Sequence, residues 1–390
     1  MQVVLFEDEN WRRFLPLAFT RPVGDLRVGI FKISEKWEKV LNARVAHRTR
    51  TYLRPVFTSS LEKDVLLINA RLLPNERLVS QLNELRNGEA LVSKGRLLAM
   101  RSNPDSDLAF ETSREFDGEY TFLNSCTDLF TYAGQEIQAD LPLWLKDKKL
   151  KSIDASNTVI GDASQIYISE SATVVASILN TTNGPIILDD HSEVMEGSLV
   201  RGGLYLGEHS VLKMGTKMYG PTTIGPHCKM GGEITNSVVY GYSNKSHEGY
   251  LGNSVLGEWC NLGADTNNSN LKNNYSEVQT WNYEENKYTD TGLTFCGLIM
   301  GDHSKAGINT MFNTGTVVGV AANIFGGGFP PKYIPSFSWG GADGFVEHEL
   351  DKALETASKM MARRNLPLTE AQQSIIKYLF NEKRQVTNDK

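Results

Sequence analysis

From about residue 150 onward the apolar positions of the chain recur every six residues. Aliphatic or methionine side chains stand at Leu188, Val194, Val200, Leu206, Leu212, Met218, Ile224 and Met230, eight consecutive positions without a miss. A second run in the same stride covers Met300, Ala306, Phe312, Val318 and Ile324, and the pairs Ile160/Ile166 and Leu256/Leu262 extend the pattern at its flanks. If about a third of positions accept a large aliphatic residue, eight in a row in one chosen register arise by chance on the order of once in several thousand. A six-residue stride cannot stay on one face of a helix, but it places one residue inward from each of a succession of short strands joined by tight corners. Each hexad then forms one side of a coil. Glycine follows the inward residue at 161, 207, 225, 257, 263, 301 and 319, where a corner is expected to require φ values that a Cβ penalises. Small residues such as Ser210 and Cys228 suit a narrow interior. A β-sandwich would alternate with period two and has no reason to keep a six-residue phase over this length.

The flanking regions follow other periods. Residues 1–145 read as an α/β unit, with strands at Gln2–Phe6, Val65–Asn69 and 97–101 and helices around 30–41 and 76–86. That alternation predicts a Rossmann-like, mainly parallel sheet. The coil is expected to fill 150–340. Over 345–384 the helical period returns: Val346, Leu350, Ala353, Leu354, Ala357 and Met361 fall on one face, and Thr369 with Gln372 forms a capping box ahead of Ile375, Ile376 and Leu379.

Composition narrows the chemistry. Forty Lys+Arg against 46 Asp+Glu, a net charge of -6, leave no cationic excess for nucleic acid. The four cysteines at 126, 228, 260 and 296 show no paired spacing and fit a reducing cytoplasm. No apolar run is long enough for a membrane span, and the acidic start does not resemble a secretory signal. A cytoplasmic protein with neither nucleic-acid nor membrane partners is expected.

The segment Ser246-His247-Glu248-Gly249-Tyr250-Leu251-Gly252-Asn253, followed by Asn261-Leu262-Gly263-Ala264, resembles the active segment of the bifunctional glucosamine-1-phosphate N-acetyltransferase/N-acetylglucosamine-1-phosphate uridyltransferase family. The resemblance implies a left-handed parallel β-helix of hexapeptide repeats, a homotrimer with active sites between subunits, and acetyl transfer from acetyl-coenzyme A to an amino-sugar phosphate. Such a transfer needs a base near neutral pH, and His247 is the candidate. The stretch Asn244-Lys245-Ser246-His247 breaks the hexad phase, so His247 is expected on a loop outside the coil wall. Tyr250 would contact the acceptor, and Asn261 would fix the acceptor or the carbonyl oxygen as charge develops. By the same resemblance Asn270 binds the acceptor sugar. Lys213 stands in place of an anion-binding Arg, Lys229 reaches the same phosphate, and Ala264 and Lys305 line the coenzyme groove. A Lys in place of Arg retains the charge but loses the bidentate fork. The insertion 271–294 departs from the family.

In the first third, Leu15-Pro16-Leu17-Ala18-Phe19-Thr20-Arg21-Pro22 resembles the part of sugar nucleotidyltransferases that follows their nucleotide loop. That likeness implies nucleotidyl transfer from UTP or dTTP to a sugar 1-phosphate, with Mg²⁺. Arg12, Arg21, Arg27 and Arg71 are the candidate phosphate ligands. The family's glycine-rich loop is replaced by Glu7-Asp8-Glu9-Asn10-Trp11-Arg12-Arg13, and its Gly-Asp metal carboxylate by Asn69-Ala70-Arg71. Asp8, Asp25 or Asp128 are the carboxylates available in its stead; no residue is assigned as a metal ligand, and this domain is expected to be the weaker catalyst. Two alternatives stand beside this reading. One is a catalytically inactive trimeric sugar-nucleotide-binding or scaffold protein. The other is a hexapeptide-coil metal hydratase using His191, His209 and His227, although residues eighteen apart should stack in a file at about 4.8 Å, poor geometry for one tetrahedral ion.

Overall fold

The computed structural model describes residues 2–57 and 60–388, and it resolves into two compact units. The first gathers the segments up to Phe14, Thr20–Arg27 and Phe31–Ser125. Its sheet has six strands, β1 (Gln2–Phe6), β2 (Val45–Arg48), β3 (Val65–Asn69), β4 (Glu89–Ser93), β5 (Arg96–Ser102) and β6 (Thr112–Glu115), in the order β2-β1-β3-β5-β4-β6. β1 and β3 are parallel neighbours and buried along their whole length, which is why each carries four apolar residues in succession, Val3–Phe6 and Val65–Ile68. The sheet is mixed rather than mainly parallel, because β5 runs antiparallel to both β3 and β4. The cause is local: Lys94 and Gly95 take φ of 50° and 77° and close a two-residue hairpin, a connection that joins only antiparallel strands. The helix Ile33–Leu41 buries Trp37, whose indole N–H donates to the Leu72 carbonyl at 3.0 Å. The helix Glu76–Asn83 starts on Asn75, whose side chain accepts from the Leu78 N–H.

The second unit holds residues from Cys126 onward together with two short early segments, Leu15–Phe19 and Val28–Ile30. These are tied in by specific bonds: Thr223 Oγ1 donates to the Gly29 carbonyl at 3.0 Å, and Asp140 Oδ2 accepts from the Ile30 N–H at 2.9 Å. The body of the unit is the expected coil, with faces formed by sheets of ten, ten and six strands. Successive hexads belong to successive faces. On one face Leu188, Leu206, Ile224, Val239 and Leu256 follow one another in parallel register; Val194, Leu212 and Met230 do so on the second; Val200, Met218 and Ile234 on the third. All are at most 2% exposed, so the six-residue stride is the projection of a dry, three-sided core onto the chain.

The corner glycines serve a different purpose from the expected one. Of the seven, only Gly161 has a positive φ. The left-handed residues lie two places further on, at His209, His227, Trp259, Asp265, His303 and Ala321, with φ between 54° and 62°. The glycines are there because the next turn is too close for a side chain: a Cβ on Gly225 would lie 1.3 Å from the Tyr240 carbonyl oxygen. Buried serines bridge the same corner, as where Ser210 Oγ donates to the Gly225 carbonyl at 2.6 Å and accepts from the Cys228 N–H at 2.8 Å.

After the coil, the strand Gly344–Glu347 carries Val346 at 68% exposure, so that residue lies outside the helical face predicted for it. The helix Leu350–Ala362 buries Ala353, Ala357 and Met361. The capping box is present ahead of the helix Glu370–Asn388, with the Thr369 N–H donating to Gln372 Oε1 at 3.0 Å and the Gln372 N–H to Thr369 Oγ1 at 3.3 Å. Among the described residues no helix is long and apolar enough to cross a membrane.

Two glycine substitutions separate close approach from backbone conformation. Gly225→Ala forces two turns apart and is expected to cost more than about 3 kcal/mol or to abolish folding. Gly215→Ala, with φ of 71° and nothing within 4 Å of the added carbon, carries only left-handed strain, about 1–2 kcal/mol. Urea unfolding of the two variants gives the comparison, and equal losses would contradict the assignment.

Candidate functional site

The coil is interrupted where the chain places a charge in its interior. Lys245 pairs in register with Met230, an inward position, and is 1% exposed. Its ammonium is satisfied by two carbonyls, donating to Gly231 O at 3.0 Å and His247 O at 2.9 Å. Burial pushes its pKa down to about 8, opposed by the Glu248 and Asp265 carboxylates. The next residues leave the wall, and His247 is exposed at the corner that follows the strand Asn244–Lys245 and precedes the strand Tyr250–Gly252. The buried lysine thus pins the backbone of the loop that presents the imidazole.

The two faces meeting at this corner carry the other predicted residues. On one, Tyr250 is half-buried and its hydroxyl accepts from Asn270 Nδ2 at 2.9 Å; the same amide donates to Asn253 Oδ1 at 2.7 Å. Burial raises the Tyr250 pKa, which keeps the phenol protonated. On the other face Lys229, Asn244, Asn261, Lys305 and Asn323 stand in one column, each paired in register with the next. Lys229 is exposed; Lys305 is half-buried, donates to the His303 carbonyl at 2.8 Å, and is pushed down to about 8 by burial. Ala264 lies at the corner one turn beyond His247. Lys213 follows the strand Val211–Leu212, two turns away on the other side. The structure therefore brings Tyr250 and Asn270 into direct contact, aligns Lys229, Asn261 and Lys305, and sets Lys213 apart. The insertion folds as an antiparallel hairpin, Gln279–Asn282 with Lys287–Asp290, whose Trp281 stacks on Tyr333 at 4.2 Å. Tyr333 belongs to the face of Leu188, Leu206 and Ile224, not to the faces that carry Tyr250 and Asn261.

The histidine file is a stack. His191, His209 and His227 lie ring on ring at 4.7 and 4.8 Å, tilted by 11° and 16°, and Tyr242 and Trp259 continue the column. Rings in parallel planes do not converge their nitrogens on one point, so the hydratase geometry is not formed.

The first unit contains a cleft of about 440 Å³, bounded among others by Asp8, Asn69, Arg71, Lys94, Arg96 and Leu97. It opens at the carboxyl ends of β1 and β3, where parallel sheets characteristically receive ligands. Asp8 is engaged at both oxygens: Oδ1 accepts from the Asn10 N–H at 3.1 Å, and Oδ2 accepts from Asn69 Nδ2 at 3.0 Å and from Arg71 Nε and Nη2 at 3.1 and 2.5 Å. Asp25 is likewise occupied, by Arg21 at 3.4 Å and Lys32 at 2.9 Å. Of the four arginines predicted, only Arg71 lines the cleft; Arg12 is exposed over the Trp11 ring, and Arg21 and Arg27 are buried away from it. Lys94 and Arg96 went unrecognised in the sequence. Their Lys-Gly turn was visible, but the sheet order that brings it beside Arg71 was not.

Comparison with known proteins gives partial matches. Residues 3–149 match the family model described as Sugar nucleotidyl transferase. A bifunctional sugar-1-phosphate nucleotidylyltransferase/acetyltransferase of Sulfurisphaera tokodaii is 29% identical over 150 residues, 37% of this chain and 36% of that protein. The bifunctional protein GlmU of Methanococcus aeolicus is 29% identical over 120 residues, 31% and 25% of the two chains. That of Rippkaea orientalis is 37% identical over 101 residues, 25% and 20%. The matches thus span about a third or less of these relatives' lengths. Among solved structures, the polySia specific acetyltransferase NeuO aligns with 53% of this chain and 94% of its own, at 11% identity and a TM-score of 0.29. Residues 3–149 thus match a sugar nucleotidyl transferase model, and the chain shows distant similarity, over part of its length, to these bifunctional proteins.

Lys245 makes a prediction with a definite sign. Its folded pKa lies below the value of about 10.4 for an exposed lysine, so between about pH 8 and 10 the unfolded chain binds the extra proton. The folding penalty is fully present below about pH 8 and is relieved as pH rises through that window. Wild type should gain about 1–3 kcal/mol relative to Lys245→Met from pH 8 to pH 10 in urea titrations; parallel pH dependences would contradict a buried, proton-shedding lysine.

Proposed function

We propose that the coil transfers an acetyl group from acetyl-coenzyme A to the amine of an amino-sugar phosphate, with His247 as the base. The observation that carries this reading is the corner at which His247 projects, between the Tyr250–Asn270 pair and the Lys229–Asn261–Lys305 column. The amine nitrogen attacks the thioester carbonyl carbon and gives its proton to the imidazole. The carbon–sulfur bond then breaks, and coenzyme A leaves as the thiol once it takes up a proton. Tyr250 and Asn270 position the acceptor sugar, Asn261 donates its amide to the carbonyl oxygen as negative charge develops, and Lys229 holds the phosphate. Lys305 and Ala264 border the coenzyme.

The front unit handles the same substrate class, a sugar 1-phosphate or its nucleoside diphosphate derivative. Its nucleotidyl transfer from UTP or dTTP is weak, because its first loop has no glycine cradle and its carboxylate is occupied. No step is assigned to Mg²⁺, since the Asp8 carboxylate is paired with the Arg71 guanidinium and Asn69 stands where a second carboxylate would be needed. The chain works as a homotrimer. Support comes from the six-stranded face, where Ile178, Leu199 and Tyr219 stand 37%, 47% and 41% exposed and call for cover by a second copy.

With acetyl-coenzyme A and a panel of amino-sugar phosphates, free thiol should be released, and His247→Ala should lower the rate by about 10²–10⁴ while coenzyme binding is retained. An unchanged rate removes His247 from the mechanism; no release with any acceptor favours the inactive scaffold. Sedimentation at micromolar concentration should give a trimer, and a monomer would sink the assembly.

A further inference from the structure

We propose that the cleft of the front unit binds a phosphate-ester anion on Arg71, Lys94 and Arg96 without a divalent metal, the Asp8–Arg71 pair standing where a metal carboxylate would be. This rests on the reading of that unit as one that handles sugar phosphates.

The argument begins with what Asp8 can still do. A magnesium ion takes near-octahedral oxygen ligands at about 2.0–2.1 Å, one or two of them carboxylate. Both oxygens of Asp8 are already accepting hydrogen bonds, three of the four donors converging on Oδ2. A dication there would also face a guanidinium in contact with the same oxygen. Neither Asn69 nor Arg71, which follow on β3, supplies a second carboxylate.

The charge balance then favours an anion. Four cations, Arg13, Arg71, Lys94 and Arg96, border the cleft against two carboxylates, Asp8 and Glu9, and Arg71 already neutralises Asp8. The chief cation is rigid. Arg71 is 4% exposed; it uses three of its five N–H groups on Asp8 and on the Leu123 carbonyl, and it lies 4.4 Å from the centre of the Phe122 ring. Arg96 lies over the same ring at 4.2 Å, so one aromatic side chain sets both guanidinium groups. A planar guanidinium held in place suits bidentate contact with phosphate oxygens. On the hairpin side the wall is open, with nothing within 4 Å of a Cβ placed on Gly95, while Phe6, Leu97 and Leu108 supply apolar surface for a sugar or base. Without metal charge on the pyrophosphate, the cleft recognises the ligand far better than it transfers a nucleotidyl group.

Titration calorimetry on the full chain decides the matter, with N-acetylglucosamine 1-phosphate, UDP-N-acetylglucosamine and inorganic phosphate, each in excess chelator and in excess Mg²⁺. The expected result is an affinity for one or both esters that is equal in the two buffers within about twofold, falls with salt, and drops about ten- to hundredfold in Arg71→Met. Because Arg71→Met strands Asp8, the double variant Lys94→Ala/Arg96→Ala serves as a second probe, with circular dichroism confirming its fold; it too should weaken binding. Affinity that appears only with Mg²⁺ overturns the proposal, as does binding indifferent to both variants or absent for all three ligands. Metal-independent binding of phosphate equal to that of the esters upholds the anion site and sinks instead the reading of the unit as a sugar-phosphate domain.

Discussion

Each turn of the coil must lie one strand spacing above the last, in register, with its inward side chains filling a prism only a few side chains wide. Most of the second unit is a consequence of that constraint. It demands an aliphatic residue at the inward place of each face, residues tolerant of left-handed φ at its corners, and no side chain at all where the Gly225 backbone meets Tyr240. It also leaves backbone groups at the corner that only a small buried hydroxyl can reach, which explains the serines at 210, 243 and 304, each donating to a carbonyl of the next turn. The stacked rings of His191, His209, His227, Tyr242 and Trp259 follow from the same register, since side chains at one corner of successive turns have nowhere else to go.

The candidate site on this body lies where the repetition is broken. Lys245 is that break: an ammonium in an aliphatic column, tolerable because two backbone carbonyls turn toward it, one of them belonging to His247. Burying the charge and presenting the imidazole are thus one structural event. The flanking faces retain their strict register, which is why Lys229, Asn261 and Lys305 form a column that a loop would not hold.

The front unit solves a different problem. Its first loop has the acidic and basic residues of Glu7 to Arg13 in place of glycines, and its carboxylate is held by Asn69 and Arg71. Internal pairing has replaced the groups that would otherwise face an ion. The same substitution that removes a metal ligand supplies a fixed guanidinium.

The sequence alone was enough for the coil, its stride, the stacking of the corner histidines, the exposure of His247 and the capping box at Thr369, because each of these depends on spacing along the chain or on neighbours within a few residues. It misjudged the glycines, whose reason lies a full turn away rather than in their own φ. It also implied a more parallel sheet than the one formed, since a two-residue turn outweighed the alternation of elements. The pairing of Asp8 with Arg71, the arrival of Lys94 and Arg96 beside them, the contact of Tyr250 with Asn270 and the placing of the insertion on Tyr333 were decided only by the tertiary structure. Hydrogen bonds and ion pairs between residues far apart in the chain depend on sheet order and on which coil turn lies next, and no periodicity records either.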